Sequence, residues 1–290
     1  MNDAYIAAAA AALSAFLIAS FQDLQTREVS DLLWIFSGLV GVVISAVMLL
    51  GNGSDAFPAV LAILFPAFLF ADIFLDWDTL FRRNGKMLRY AAGALCGIST
   101  LYSVYSLPSV ASVDIAASES LWILFILLLF YIDVIRGGAD AKALVSLVLL
   151  FPVYPVPVMG RIPPSFESFT FPFFLNVLLL AAVLSLLVPV FLFFRNASRG
   201  DVSIPRMFVG FRKDVASVNM EKEWLMESPD ESGRPVRLKR LGRADEEETL
   251  DRIRSIGWKT VWVSPKIPFI VFLTAGLVLT LLSGSVIVYL

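Results

Sequence analysis

Apolar stretches that approach the roughly 20 residues needed to cross a bilayer recur along this chain. They run over 4–21, 32–50, 57–75, 88–107, 121–136, 141–157, 171–194 and 267–290. Hydrophobic residues make up 58% of the sequence and charged ones 17%, with a mean hydropathy of +0.79. A soluble chain of 290 residues cannot bury that much apolar surface. The expected fold is an all-α polytopic membrane protein of about eight transmembrane helices. The fifth and sixth segments are short, which suggests tilted or partly re-entrant helices. The first span is expected to be retained rather than cleaved as a signal peptide, because no Lys or Arg precedes Arg27 and Asp3 is acidic.

The domain plan follows from the polar gap before the last span. Residues 1–195 are expected to form a transmembrane domain, 196–266 a small mixed α/β cytoplasmic insertion, and 267–290 the last transmembrane helix. In the insertion, 245-DEEETLDRIRSI-256 reads as an amphipathic helix with Asp245 as N-cap and Glu248 at the third position. Met207–Phe211 and Thr260–Val263 read as β-like, and 228–234 as a loop.

Basic residues set the orientation. With the N-terminus outside, the outer connections are 51–56, 108–120 and 158–170. They hold Arg161 as their one basic residue, of 23 Lys and Arg in the chain. Arg27, Arg82, Arg83, Lys86, Arg89, Arg136, Lys142 and Arg195 fall on the cytoplasmic side. This plan puts Asp23 at the inner end of one span and Asp140 at the inner start of another, two carboxylates at one membrane depth.

The absence of histidine and the single cysteine, Cys96, exclude many chemistries. Ser-His and Cys-His pairs, HExxH metal sites, CxxC zinc sites and internal disulfides are ruled out. Carboxylates remain. An ionisable residue at the edge of a membrane span is costly, and so reads as functional. Two carboxylates around one water form an aspartic protease centre: like charges share a proton, the ionised partner deprotonates water and the protonated one donates to the carbonyl oxygen. Such a site needs no metal and no cofactor. Gly137, Gly138 and Ala139 make the turn that projects Asp140, glycine allowing unusual angles and close approach. Asp133, Lys142 and Arg27 are candidates to support the pair. The plainer alternatives are that Asp140 caps its helix and that Asp23 pairs with Arg27 four residues on. Asp72 and Asp133 are placed about a turn inside their spans, facing the interior, and Lys142 at the interface with its ammonium reaching water.

At these residues the sequence resembles a known family. The run 20-SFQDLQTREVSDLLWI-35 is similar to the first catalytic-aspartate region of archaeal preflagellin peptidases, which are type IV prepilin peptidase-like aspartic proteases of the GxGD group. The run 137-GGADAKAL-144 resembles their second motif, and 192-LFFRN-196 and 261-VWVSPKIPFI-270 resemble later landmarks. The resemblance implies an integral membrane endopeptidase with Asp23 and Asp140 as its dyad. Its substrates would be preflagellins and prepilin-like proteins, cut at the cytoplasmic face of the membrane to remove a short class III signal peptide. Ala139 stands where the strict motif has glycine. An additional helix pair falls within 57–110, relative to the family's six-span plan. With one cysteine, the chain lacks the paired-CxxC module of bacterial prepilin peptidases, and methyl transfer is not expected.

The expected partners are therefore the preprotein substrates and the lipid bilayer, with no nucleic acid. A basic leader stays cytoplasmic while the helix after it enters the bilayer, which puts the scissile bond at the interface; Glu28 or Asp31 would attract the leader. Two other classes compete. An ion-coupled transporter would use interior carboxylates such as Asp72 and Asp133. A presenilin-like protease would cut in mid-helix rather than at the boundary.

Overall fold

The computed structural model describes residues 2–81, 84–135, 137–155, 171–237 and 243–286. The expected connection 158–170 with Arg161, and Arg82, Arg83 and Arg136, lie outside the described residues. The chain divides into two compact units, Met1–Ala181 with Phe269–Leu290, and Ala182–Pro268.

The first unit is helical. Its elements are α1 (Asn2–Thr26), α2 (Asp31–Gly51), α3 (Ala56–Asp72), the short α4 (Trp77–Phe81), α5 (Gly85–Val104), α6 (Val110–Tyr131), α7 (Gly138–Leu150), α8 (Phe173–Ser185) and, late in the chain, α12 (Phe269–Ser283). Among the described residues, four helices are long and apolar enough to cross a membrane by length and composition: Asp3–Thr26, Asp31–Gly51, Val110–Tyr131 and Phe173–Arg199. Ala56–Asp72 and Phe269–Ser283 are shorter apolar helices.

Several boundaries differ from the sequence expectation, each for a local reason. The fifth segment, expected at 121–136 behind an outer connection, is instead the 22-residue α6 starting at Val110. Ser109 caps it, its hydroxyl accepting the Ser112 N–H at 3.2 Å. The polar residues that made this stretch look like a loop, Ser112, Ser118 and Glu119, are buried. The helix of the sixth segment, α7, stops at Leu150 because Pro152 follows, and the residue before a proline avoids helical angles. The seventh segment is two helices, α8 and α9 (Leu187–Arg199), joined at Leu186. Pro189 cannot donate to the carbonyl of Ser185, so the ladder breaks there.

α7 is the centre of the first unit. It packs on α1, α2, α6 and α12, and Ala141, Ala143, Leu144, Val145 and Leu147 to Leu150 are all buried. A helix apolar on every side belongs inside. Gly41 of α2 lets the two backbones meet: a Cβ there would lie 2.6 Å from Leu149 Cβ and 2.7 Å from its carbonyl carbon. Phe16 and the buried Trp34 lock α1 on α2 edge to face, centroids 5.3 Å apart. α12 closes against α1 through Ser20 and Thr274, whose hydroxyls lie 2.6 Å apart.

The α3–α5 pair is tied at both ends. Arg89 binds Asp72 with Nε at 2.8 Å from Oδ1 and Nη2 at 2.6 Å from Oδ2, a two-pronged grip that suits guanidinium geometry. Pro66 inside α3 leaves the carbonyl of Ala62 without its usual donor. Thr100 of α5 supplies one, its hydroxyl lying 2.9 Å from Leu61 O and 3.3 Å from Ala62 O.

The second unit adds α9, α10 (Arg206–Val209), β1 (Phe211–Asp214), β2 (Glu223–Leu225), β3 (Glu227–Pro229), β4 (Pro235–Arg237), α11 (Arg243–Ile256) and β5 (Thr260–Pro265). A three-stranded antiparallel sheet runs β1-β5-β2, with Phe211 opposite Val263 and Leu225 opposite the same residue. Leu250 and Ile253 of α11 and Leu192 of α9 pack on it with Val261 and Val263. A strand forms at Thr260 as the sequence suggests, but Met207 to Val209 are helical and the first strand starts at Phe211. The helix expected to be capped by Asp245 begins at Arg243, which places Asp245 in its first turn. The first two residues of the expected 228–234 loop belong to β3, and the turn itself is Asp230 to Arg234.

Candidate active site

α1 ends and α7 begins beside one another, and each carries one of the two singled-out carboxylates. Asp23 lies one turn before the end of α1 and is half-buried; Asp140 is the third residue of α7 and is half-buried. α1 packs directly on α7. Residues 117 positions apart in the chain are thus carried by two helices that pack on one another.

Gly137 is what Asp140 rests against. A Cβ at Gly137 would collide with Asp140 Oδ2 and lie 2.8 Å from its Cγ. The glycine matters for space and not for backbone freedom: its φ of −83° and ψ of 116° are open to any residue. Gly138 has open space around its Cβ position, and Ala139 is partly buried against the core. Asp140 does not cap its helix; Gly137 holds the N-cap position, three residues earlier.

Arg27 does not close the expected ion pair with Asp23. It follows α1 with a left-handed φ of 61°, and its Nε and Nη1 are buried without a hydrogen-bond partner among the described residues. Two neighbouring bonds fix this corner. Gln22 Oε1 accepts the N–H of Ser30 at 3.0 Å, joining the end of α1 to the start of α2. Lys142 Nζ lies 2.5 Å from Asp31 Oδ1, at the first residue of α2, and 4.9 Å from the centroid of the Phe74 ring. Lys142 therefore anchors α7 to α2 rather than facing the pair.

The other carboxylates stand apart. Asp133 follows the end of α6 in an exposed left-handed turn with φ 61°, not inside a span. Asp72 is held by Arg89 and by the indole N–H of Trp77 at 2.8 Å. The sequence reading passed over Glu119. It is fully buried in α6, accepts a hydrogen bond from Ser45 of α2, and leaves Oε2 without a partner among the described residues. A polar residue inside an apolar helix was the available signal, masked by a serine-rich stretch that resembles a loop. Among the described residues, no group of three or more Cys, Asp or Glu is placed to hold a metal ion.

Two half-buried carboxylates on packed helices of an apolar bundle are compatible with the membrane peptidase expected from the sequence. Comparison with known proteins points the same way. Residues 203–286 match the family model described as Archaeal Peptidase A24 C-terminus Type II. The chain is 22% identical over 279 residues to the preflagellin peptidase of Methanococcus voltae, covering 94% of this chain and 93% of that protein. It is 27% identical over 158 residues to the preflagellin peptidase of Methanocaldococcus jannaschii, covering 52% and 64%. An uncharacterized protein of the same organism is 26% identical over 270 residues, covering 90% and 87%. The resemblance to archaeal preflagellin peptidases read from the two aspartate motifs is borne out.

Proposed function

We propose that this protein is a membrane aspartic endopeptidase. It removes the short class III signal peptide from preflagellins and type IV prepilin-like proteins, with Asp23 and Asp140 as its dyad. What supports this reading is the packing of α1 on α7, the two helices that bear the motifs of the family resemblance, with Asp23 one turn before the end of one and Asp140 in the first turn of the other. One carboxylate takes a proton from a water held between them, and that water attacks the scissile carbonyl carbon. The other carboxyl donates its proton to the carbonyl oxygen, and collapse of the tetrahedral intermediate sends a proton to the departing amine. The dyad titrates as a unit.

In this reading the chain crosses the membrane eight times with its N-terminus outside, and the dyad lies at the cytoplasmic face. The polar segment between α9 and α12 is then cytoplasmic, and a basic leader meets the dyad where it leaves the bilayer. Glu28 and Asp31 offer it negative charge, although Asp31 is already paired with Lys142. The transporter alternative has less support, since Asp72 is tied to Arg89 and Asp133 is exposed.

The test is cleavage of a preflagellin by the purified chain, with the new N-terminus read by mass spectrometry. Asp23→Asn and Asp140→Asn are each expected to lower the rate by about 10²–10⁴-fold while the protein stays folded in detergent. Wild-type cleavage by either variant removes the dyad, and a cut in mid-helix favours the presenilin-like alternative.

A further inference from the structure

Within the second unit, the end of α9 and the edge strand β1 enclose a groove of about 370 Å³. Arg195, Arg199, Arg212 and Lys213 line it with Phe211 and Thr260. Its charges are not equally committed. Lys213 Nζ lies 2.6 Å from Glu223, and Arg212 lies 3.7 Å from Asp201, one of two carboxylates on the same lining. The second, Asp214, pairs with neither arginine of α9. The guanidinium groups of Arg195 and Arg199 have no ion pair or hydrogen bond among the described residues.

These two arginines are four residues apart on one helix, so they share a face and repel. Arg195 is also held in place: its Cζ lies 3.9 Å from the centroid of the Phe211 ring. A ring face steadies a guanidinium without using its N–H donors. The negative end of the α9 dipole accounts for a cation in the last turn. It does not account for a cavity with a braced guanidinium and a second one beside it.

We propose that this groove is an anion site for a phosphate group, filled by the headgroup phosphate of an anionic lipid. The choice of lipid as source rests on the reading that Phe173–Arg199 crosses the bilayer, because basic residues at the end of such a helix stand at headgroup level. The basic leader of the proposed substrate is excluded by like charge. Guanidinium donors bind two phosphate oxygens at once, which an ammonium cannot do.

Binding to the full chain in a neutral detergent tests this without any cleavage assay, so its failure leaves the peptidase reading untouched. The ligands are dihexanoyl phosphatidylglycerol below its micelle concentration and inorganic phosphate. Saturable binding of the lipid is expected, weakened about tenfold or more in the double variant Arg195→Gln, Arg199→Gln and less in Arg195→Lys, Arg199→Lys. Inorganic phosphate binding as tightly, and lost in the same Gln variant, keeps the site and assigns it a soluble source. No saturable binding of either ligand, or equal lipid affinity in the Gln variant, overturns the proposal.

Discussion

Gly137 and Gly138 are alike in sequence and unlike in consequence. A methyl group at position 137 must displace the Asp140 carboxyl, whereas one at 138 meets nothing within 4 Å. Gly137→Ala is therefore expected to lower preflagellin cleavage about 10- to 100-fold, in keeping with the cost of a misplaced catalytic group. Gly138→Ala is expected to leave it near wild type, and steady-state rates of the two variants check this. The sequence made the turn visible but credited both glycines with conformational freedom. The distinguishing fact, which side chain folds back over which Cα, depends on a rotamer and carries no local signature. Glu119 was hidden for a related reason: burial of a carboxyl is a property of its neighbours on α2 and α7, and its own segment looks polar. Ser45→Ala strips Glu119 of its hydrogen-bond donor in a buried site, and a loss of about 1–3 kcal/mol in unfolding free energy is expected.

At the scale of elements, helix existence was legible and helix ends were not. Apolar runs marked α1, α2 and α3 closely, because lipid and core both demand continuous apolar length. The break at Leu186 and the stop at Leu150 turn on single prolines. Pro66 shows the opposite outcome: a proline inside α3 is tolerated because Thr100 of a different helix bonds the freed carbonyls. Thr100→Val keeps the shape and removes that donor, so the α3–α5 pair is expected to lose about 1–3 kcal/mol, read as a lower midpoint in detergent-denaturant unfolding. The β3–β4 turn gives a pH prediction. Asp230 Oδ1 accepts the N–H of Arg234 at 2.8 Å and the Ser232 hydroxyl at 2.8 Å, and these bonds hold its carboxyl below the usual carboxylate range. A depressed folded-state value means the turn's extra stability is present above the unfolded pKa and lost as pH falls through the folded one. Amide exchange at Val236 is expected to accelerate in that acid window, and Asp230→Asn to remove the pH dependence.

At the scale of the whole molecule, the sidedness of basic residues is the strongest long-range information the sequence carried. It predicts one depth for Asp23 and Asp140, because charge asymmetry is selected by the membrane and not by packing. That they adjoin laterally, on α1 and α7, required helix packing that no pattern encodes. The eight-crossing plan makes a direct prediction. With Cys96, the one cysteine of the chain, replaced by alanine, a cysteine at Asp55 in the turn after α2 is expected to react with a membrane-impermeant maleimide on intact cells. A cysteine at Ser232, in the exposed turn between β3 and β4, is expected to react only after the cells are opened. Labelling of both from outside would place the two turns on one side, which needs an even number of crossings between them where the plan has the five spans 57–75, 88–107, 121–136, 141–157 and 171–194. The dyad would then lose its assigned face, while the α1–α7 contact that brings the carboxylates together would stand.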